Sequence, residues 1–413
     1  MTASLTQLTC RPVSPPAPPR PGVPLGLYVH IPFCVRKCYY CDFTSGPASE
    51  AIREQFVERL VAEIHASPWQ GHPARTVFFG GGTPSELKPH QLRRIAEALK
   101  DTFRFTPSPG TQPPTPDTQH PASTPEWTIE CNPGTVDQPA LDTMVEMGFN
   151  RISLGVQTFH DHHLKAIGRI HTAAQAVEAL RMARRAGFRR LNLDLIFCLP
   201  GQTLEEWKSD VERALALQPE HLSLYNLTIE EATEFGRRHR MGLLALPDED
   251  LSADMYEWVI DRAADAGFGQ YEVSNFALPG EACRHNQIYW RQEPFIGFGP
   301  SAASYWEGAR WTNTTSMSRY LATAGGETGP ERATEERLSP REACGEAVML
   351  GLRTAEGADV EALARRYGLE PESTYGETLR RLAGEGLMFH EGARWKLTRR
   401  GILLANAVCA EFL

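Results

Sequence analysis

Three cysteines fall within eight positions in "HIPFCVRKCYYCDF" (residues 30–43), spaced as Cys34-x3-Cys38-x2-Cys41. Four ligands close a structural zinc site, and two cysteines make a disulfide. Three thiolates leave a metal with an open position, where a substrate or cofactor can bind. Thiolates are also the usual holders of iron–sulfur clusters, and three of them can carry a four-iron cluster whose fourth iron stays free. Tyr39 and Tyr40 inside the loop suit the shielding of such a cluster. A zinc ion completed by His30 or a distant residue is the competing reading at this point.

Stepping outward from the cysteines, short β-branched runs alternate with longer amphipathic ones from residue 25 to about 270. The strand candidates are "GLYVHI", "RTVFFG", "EWTIEC", "NRISLGV", "RRLNLDLIF" and "EHLSLYNLTI". Ile52, Phe56, Val57, Leu60, Val61 and Ile64 make an apolar stripe at helical spacing. Val177, Leu180 and Met182 suggest another helix, with Gly187 as its C-cap. Six strand–helix units in succession predict a parallel sheet with right-handed crossovers, and so an open, partial (β/α)6 barrel. Sites in such barrels form at the C-terminal ends of the strands. There the sequence places the cysteine loop, Gly80-Gly81-Gly82-Thr83-Pro84, Glu130-Cys131-Asn132-Pro133, Gln157, Asp194, and Asn226 with Thr228. Six polar or glycine features on one rim predict one site. For Glu130 and Asp194 alone, helix capping or solvation is the plainer alternative.

The chain has 413 residues and a net charge of -9, which predicts two or three domains. No run approaches the length of a membrane span, and the start carries no apolar signal core. The nine cysteines are therefore expected in a reducing cytoplasm, where clustering means metal or catalysis more often than disulfides. The acidic balance argues against nucleic acid as a partner. Residues 1–24 read as a proline-rich lead-in and 106–125 as a disordered Pro/Thr/Ser-rich insertion between a helix and the third strand. Residues 271–340 read as a connector with a loose end at Pro340. Residues 341–413 read as helices followed by a hairpin turning at Glu391-Gly392, a winged-helix-like module. Its arginines are balanced by acids, so packing or substrate covering is expected of it, not DNA binding.

The C-x3-C-x2-C loop after a first strand, with a glycine-rich second strand end, resembles the radical S-adenosylmethionine (SAM) enzymes. "YVHIPFC", "GGGTPS", "SLGVQTF" and "DLIFCLPGQT" narrow the resemblance to the oxygen-independent coproporphyrinogen III oxidase group, over residues 25–413. It implies a [4Fe–4S] cluster on Cys34, Cys38 and Cys41, with SAM on the open iron. It implies SAM contacts from Tyr28, Gly81 and Glu130. By position, Tyr40, Gly82, Thr83, Gln157, Arg169, Asp194 and Thr228 match relatives that hold a second SAM or substrate. The glycine run lets backbone approach the ligand closely, and it lacks the Gly-Lys-Ser/Thr ending of a phosphate loop. Cys131 and Cys198 are expected to be small buried apolar residues, although relatives usually carry glycine near 198.

The oxidases place a fourth cysteine where this chain has Phe43. "CDFTS" and "RHNQIYW", with its H-N-x-x-Y-W pattern, resemble the haem chaperone (HemW) branch. That implies haem as cargo, an unknown haem-acceptor protein, and an electron donor if SAM is cleaved. His285, Asn286, Tyr289 and Trp290 become candidate haem contacts, since histidine is a common axial ligand and aromatic faces stack on a porphyrin. A buried, hydrogen-bonded histidine is the alternative reading of His285. Two other functions compete: oxidative decarboxylation of coproporphyrinogen III, in which one electron from the cluster splits SAM, and radical SAM chemistry on another substrate. Phe43 argues against the decarboxylation.

Overall fold

The computed structural model describes residues 23–105, 124–322 and 329–413. All but two residues of the expected lead-in, and all but two of the expected insertion, lie outside these. Six strands run parallel in chain order: Leu25–Ile31, Pro73–Gly81, Glu126–Cys131, Arg151–Gln157, Arg190–Phe197 and His221–Asn226. Each coincides with one of the six apolar runs. The sides of these strands that face helices carry the core, from Leu27 and Val29 through Phe79, Ile129, Ile152 and Leu193 to Leu222.

Helix Glu50–His65 buries Phe56, Val57, Leu60 and Ile64. Ile52 and Val61 are half-buried against the same core. Helix Ala173–Ala186 is opened by a capping box of Thr172 and Gln175. It ends at Gly187, whose φ of 104° is the left-handed cap that glycine takes at little strain.

The sheet extends beyond six strands at both edges. Phe295–Phe298 pairs parallel with the first strand, and Ala303–Trp306, Ala309–Asn313 and Arg332–Arg337 follow antiparallel. At the far edge, Asn275–Ala277 and Gly269–Glu272 pair antiparallel next to the sixth strand. The region read as a connector thus builds sheet. The outermost strand, "RATEER", shows no apolar alternation because it buries no apolar face: Glu336 pairs with Arg310, Arg332 covers the Trp311 ring, and its charged, mostly exposed side chains guard the edge.

The C-terminal region holds helices Pro340–Leu352, Val360–Arg366 and Glu377–Gly384. The hairpin Met388–Glu391/Arg394–Leu397 and two short helices complete it. Cys344, Val348, Leu352, Leu379, Leu382, Val408 and Phe412 form its own apolar core. Backbone bonds tie it to the sheet edge, Val273 N–H to the Arg353 carbonyl and Ala355 N–H to the Tyr271 carbonyl, both at 3.0 Å.

Glu63 fastens the added strands to the first helix. It is buried, and it accepts hydrogen bonds from Tyr320 Oη, from Gly299 N–H (3.2 Å) and from Asn313 Nδ2 (3.1 Å). Burial pushes its carboxyl up to about 7 against the pull of those donors. Removing one donor leaves a buried acceptor short of a partner. Tyr320→Phe is therefore expected to lower unfolding stability by about 1–3 kcal/mol in urea titrations. An unchanged midpoint would contradict this role.

Candidate functional site

A cavity of about 400 Å³ opens at the C-terminal ends of the parallel strands. Cys34, Cys38 and Cys41 line it together with Tyr40. So do Gly81, Gly82 and Thr83 from the second strand end, and Glu130 from the third. Gln157, Arg169, Asp194 and Thr228 complete the wall. Of the residues expected to meet SAM, only Tyr28 is absent. It faces a deeper cavity of about 230 Å³ that shares Glu130 and Asp194 with the first. Its hydroxyl lies 3.1 Å from His30 Nδ1.

The cysteine loop is pinned at its base. Cys34 N–H donates to the Gly46 carbonyl and Gly46 N–H to the Pro32 carbonyl, both at 3.0 Å. The three thiols are unpaired. Burial pushes the Cys41 thiol up, and the neighbouring Cys38 and Cys34 thiolates add to that rise. Arg169 answers this crowding of negative charge. Its Nη2 donates to the Gly155 carbonyl at 2.7 Å, and its Nη1 lies 3.6 Å from Cys38 Sγ. Three thiols free of disulfides, all lining one open cavity beside a guanidinium, fit a cluster held by three cysteines.

The glycines are fixed by space. A β-carbon on Gly81, where φ is 104°, would sit 2.5 Å from the His30 ring. One on Gly82 would sit 2.6 Å from the Phe33 carbonyl oxygen. Glu130 accepts from Gly81 N–H at 3.2 Å. Burial, with Asp194 close by, raises its carboxyl to about 8. Asp194 is itself raised by burial, although Ser153 and Asn192 donate to it at 2.9 and 2.7 Å. Two half-buried carboxylates facing one cavity favour a ligand that brings positive charge. Gln157 reaches the wall from a left-handed backbone, φ 69°.

Cys131 and Cys198 are both buried. Cys131 nevertheless borders the cavity, and burial raises its thiol to about 12. Cys198 occupies a φ of 61°, a conformation that glycine reaches more easily. Sequence reasoning missed Tyr225, which lines both cavities from the sixth strand. Its alternation in "HLSLYN" was the available signal.

The four haem candidates are divided between the packed interior, the deeper cavity and a separate cleft. His285 is buried, with Nδ1 2.8 Å from Thr76 Oγ1 and Nε2 2.8 Å from Tyr289 Oη. Its ring stacks on Phe78. Both nitrogens are engaged, so neither is open to iron. Asn286 and Tyr289 border the deeper cavity, while Trp290 borders a separate cleft of about 680 Å³ against the C-terminal helices. A helix of seven residues, Arg284–Trp290, spreads these side chains to different faces. Beside it, Glu126 accepts from His285 N–H at 3.0 Å. Burial opposes the Glu126 charge, but Arg151, Arg284 and Arg190 outweigh it and hold the carboxyl below its usual range.

Residues 28–214 match the Radical SAM superfamily, and residues 338–404 match the HemN C-terminal domain. Fold and cysteine site together define a radical SAM protein, a class that implies a [4Fe–4S] cluster and SAM. The solved structure of coproporphyrinogen III oxidase (HemN) from Escherichia coli, described as a radical SAM enzyme, superposes with a TM-score of 0.79. It is 25% identical and covers 95% of this chain and 91% of its own. The heme chaperone HemW of Lactococcus lactis is 38% identical over 94% of this chain and 97% of its own length. That of Bacillus subtilis is 34% identical over 94% and 98%. The chain belongs to the HemW family.

Burial lowers the His285 pKa to about 3, against about 6.5 when unfolded. The unfolded chain then binds the extra proton first. The contribution is complete above about pH 6.5 and is lost as pH falls toward 3. The stability difference between the parent and His285→Phe is expected to shrink by about 2 kcal/mol from pH 7 to pH 5. Anaerobic urea titrations at the two pH values measure it, and a constant difference would contradict the assignment.

Proposed function

We propose that the chain is a haem chaperone. It takes up haem at the mouth of the cluster cavity and passes it to an acceptor protein. It carries a [4Fe–4S] cluster on Cys34, Cys38 and Cys41, with SAM against the cavity wall. The observation that carries this reading is the mouth itself. Val35, Phe43, Ile170 and Tyr225 line the cavity, yet each remains more than a third exposed. Apolar side chains gathered at the rim of a polar cavity mark a binding surface, and a flat macrocycle with an apolar face suits this one. The relatives named heme chaperones support the same reading across the chain's length.

Phe43 also speaks against the oxidase alternative. It is 60% exposed at the mouth, and its carbonyl accepts from Lys37 Nζ at 2.9 Å. An aromatic ring at that position offers neither a thiol nor an iron ligand.

When bound, the cluster and SAM supply one-electron chemistry. The chain's own residues bind and orient. Glu130 and Asp194 attract the positive charge of an ammonium or sulfonium group. Arg169 offsets thiolate charge beside Cys38. The close-packed glycines leave backbone, not side chains, next to the ligand. An electron donor is required only if SAM is cleaved. The unpaired thiols support residence in a reducing compartment such as the cytoplasm. No helix among the described residues is long and apolar enough to cross a membrane.

Replacing Cys34, Cys38 or Cys41 singly by Ala is expected to abolish anaerobic cluster reconstitution, read as iron content and visible absorbance. A variant that reconstitutes fully would contradict the three-thiol site.

Phe43→Asp and Ile170→Asp are each expected to weaken haem binding about tenfold or more in absorbance titrations of the cluster-loaded chain, because each removes apolar area from the rim. The parent is expected to show no multiple-turnover decarboxylation of coproporphyrinogen III. Sustained turnover would replace the chaperone reading with the oxidase one.

A further inference from the structure

The sequence "FHDHHL" (residues 159–164) takes no part in the cluster cavity, although it follows directly from Gln157 and Thr158. It opens the short helix Asp161–Ala166. Its histidines face the first turn of helix Leu204–Ala216, where Glu206 closes a capping box with Thr203. One ring nitrogen from each of His160 and His162 and one carboxylate oxygen of Glu206 lie within 4.8 Å of one another.

The two oxygens of Glu206 are used differently. Oε2 accepts from Thr203 N–H (3.0 Å) and Thr203 Oγ1 (3.1 Å), and it lies 3.3 Å from His163 Nε2. These contacts fix the carboxylate. Oε1 faces His162 Nε2 at 3.2 Å. On the other side, His160 Nε2 lies 3.2 Å from the Glu206 backbone carbonyl oxygen and 3.7 Å from Asp210 Oδ1. Asp210 is buried and anchored by Thr158 Oγ1 (2.7 Å) and Phe159 N–H (2.6 Å). Among the described residues, the ion pairs of both carboxylates are with histidines and with no lysine or arginine. Two carboxylates and three imidazoles converge without a permanent cation to balance them.

We propose that His160, His162 and Glu206 bind one divalent transition-metal cation of the zinc class, with His163 and Asp210 orienting the ligands. Two imidazoles and a carboxylate are a zinc donor set, and three protein ligands leave a position for water. Tetrahedral ligands around zinc stand about 3.4 Å apart, so the donors must draw together slightly. The His162 side chain is 63% exposed and free to do so. Carboxylates and buried imidazoles that brace the ligands are the usual support of such sites. The bound ion would join helix Asp161–Ala166 to helix Leu204–Ala216. It would thereby stiffen the segment between Gln157 and Arg169, both of which line the cluster cavity.

The test uses the full chain with its cluster reconstituted, so that Cys34, Cys38 and Cys41 are occupied. Zinc is titrated in competition with a chromophoric chelator, and cobalt is added separately to read the visible bands of a tetrahedral site. One equivalent of zinc per chain is expected. The double variant His160→Ala/His162→Ala is expected to bind at least about tenfold more weakly and to lose the cobalt bands. His162→Ala alone, at an exposed side chain, is expected to weaken binding in the same direction without affecting the fold. A parent that takes up no zinc, or a double variant that binds as well as the parent, would overturn the proposal.

Discussion

The ends of the first two strands lie so close that no side chain fits between them, and the site depends on this contact. Ile31 pairs with Gly81, Gly82 N–H donates to the Ile31 carbonyl at 2.8 Å, and Thr83 N–H donates to the Phe33 carbonyl at 2.7 Å. The end of the second strand thus holds the carbonyls of Ile31 and Phe33, which lead into the cysteine loop, and Thr83 Oγ1 lies 3.4 Å from Cys34 Sγ. The same glycine strip passes Gly81 N–H to Glu130 on the third strand. One close approach sets the thiols, the cavity wall and the Glu130 carboxylate in fixed relation. A larger residue at either glycine would separate them, because the nearest neighbours are a packed histidine ring and carbonyl oxygens that have no freedom to move aside.

Charge organises the interior around this contact. The cavity wall gathers carboxylates at Glu130 and Asp194 and thiols on the loop, with Arg169 as a nearby cation. Such an interior is costly when empty, since burial disfavours each charge, and it gains from a cationic ligand. Beneath the barrel, Glu126 is instead matched by Arg151, Arg190 and Arg284. The first arrangement is built for a guest and the second for structure. His285 belongs to the second, which is why a histidine in a haem-associated pattern lies in the packed interior.

Much of this was legible from sequence. The six barrel strands announced themselves through β-branched runs, and helix Ala173–Ala186 through its glycine cap. The cysteine spacing located the loop, and the strand-end residues located the cavity wall, because parallel sheets deliver such residues to one rim. The outer strands were not legible. "RATEER" has no apolar period, and the pairing partner of "FIGF" is more than 260 residues away along the chain. The place of His285 was equally hidden, since it is set by Thr76 and Phe78 on a distant strand. Local pattern reports what a segment can form, whereas burial depends on what the fold brings against it.

The most direct measurement is SAM binding by calorimetry, alongside iron content, in a Gly82→Ala variant reconstituted under anaerobic conditions. A β-carbon there would press on the carbonyls of Phe33 and Ile31, at 2.6 and 2.8 Å, while leaving every cysteine in place. The account predicts that the variant keeps its circular dichroism spectrum but loses cluster occupancy and SAM binding together. A variant that holds a full cluster and binds SAM as tightly as the parent would contradict it.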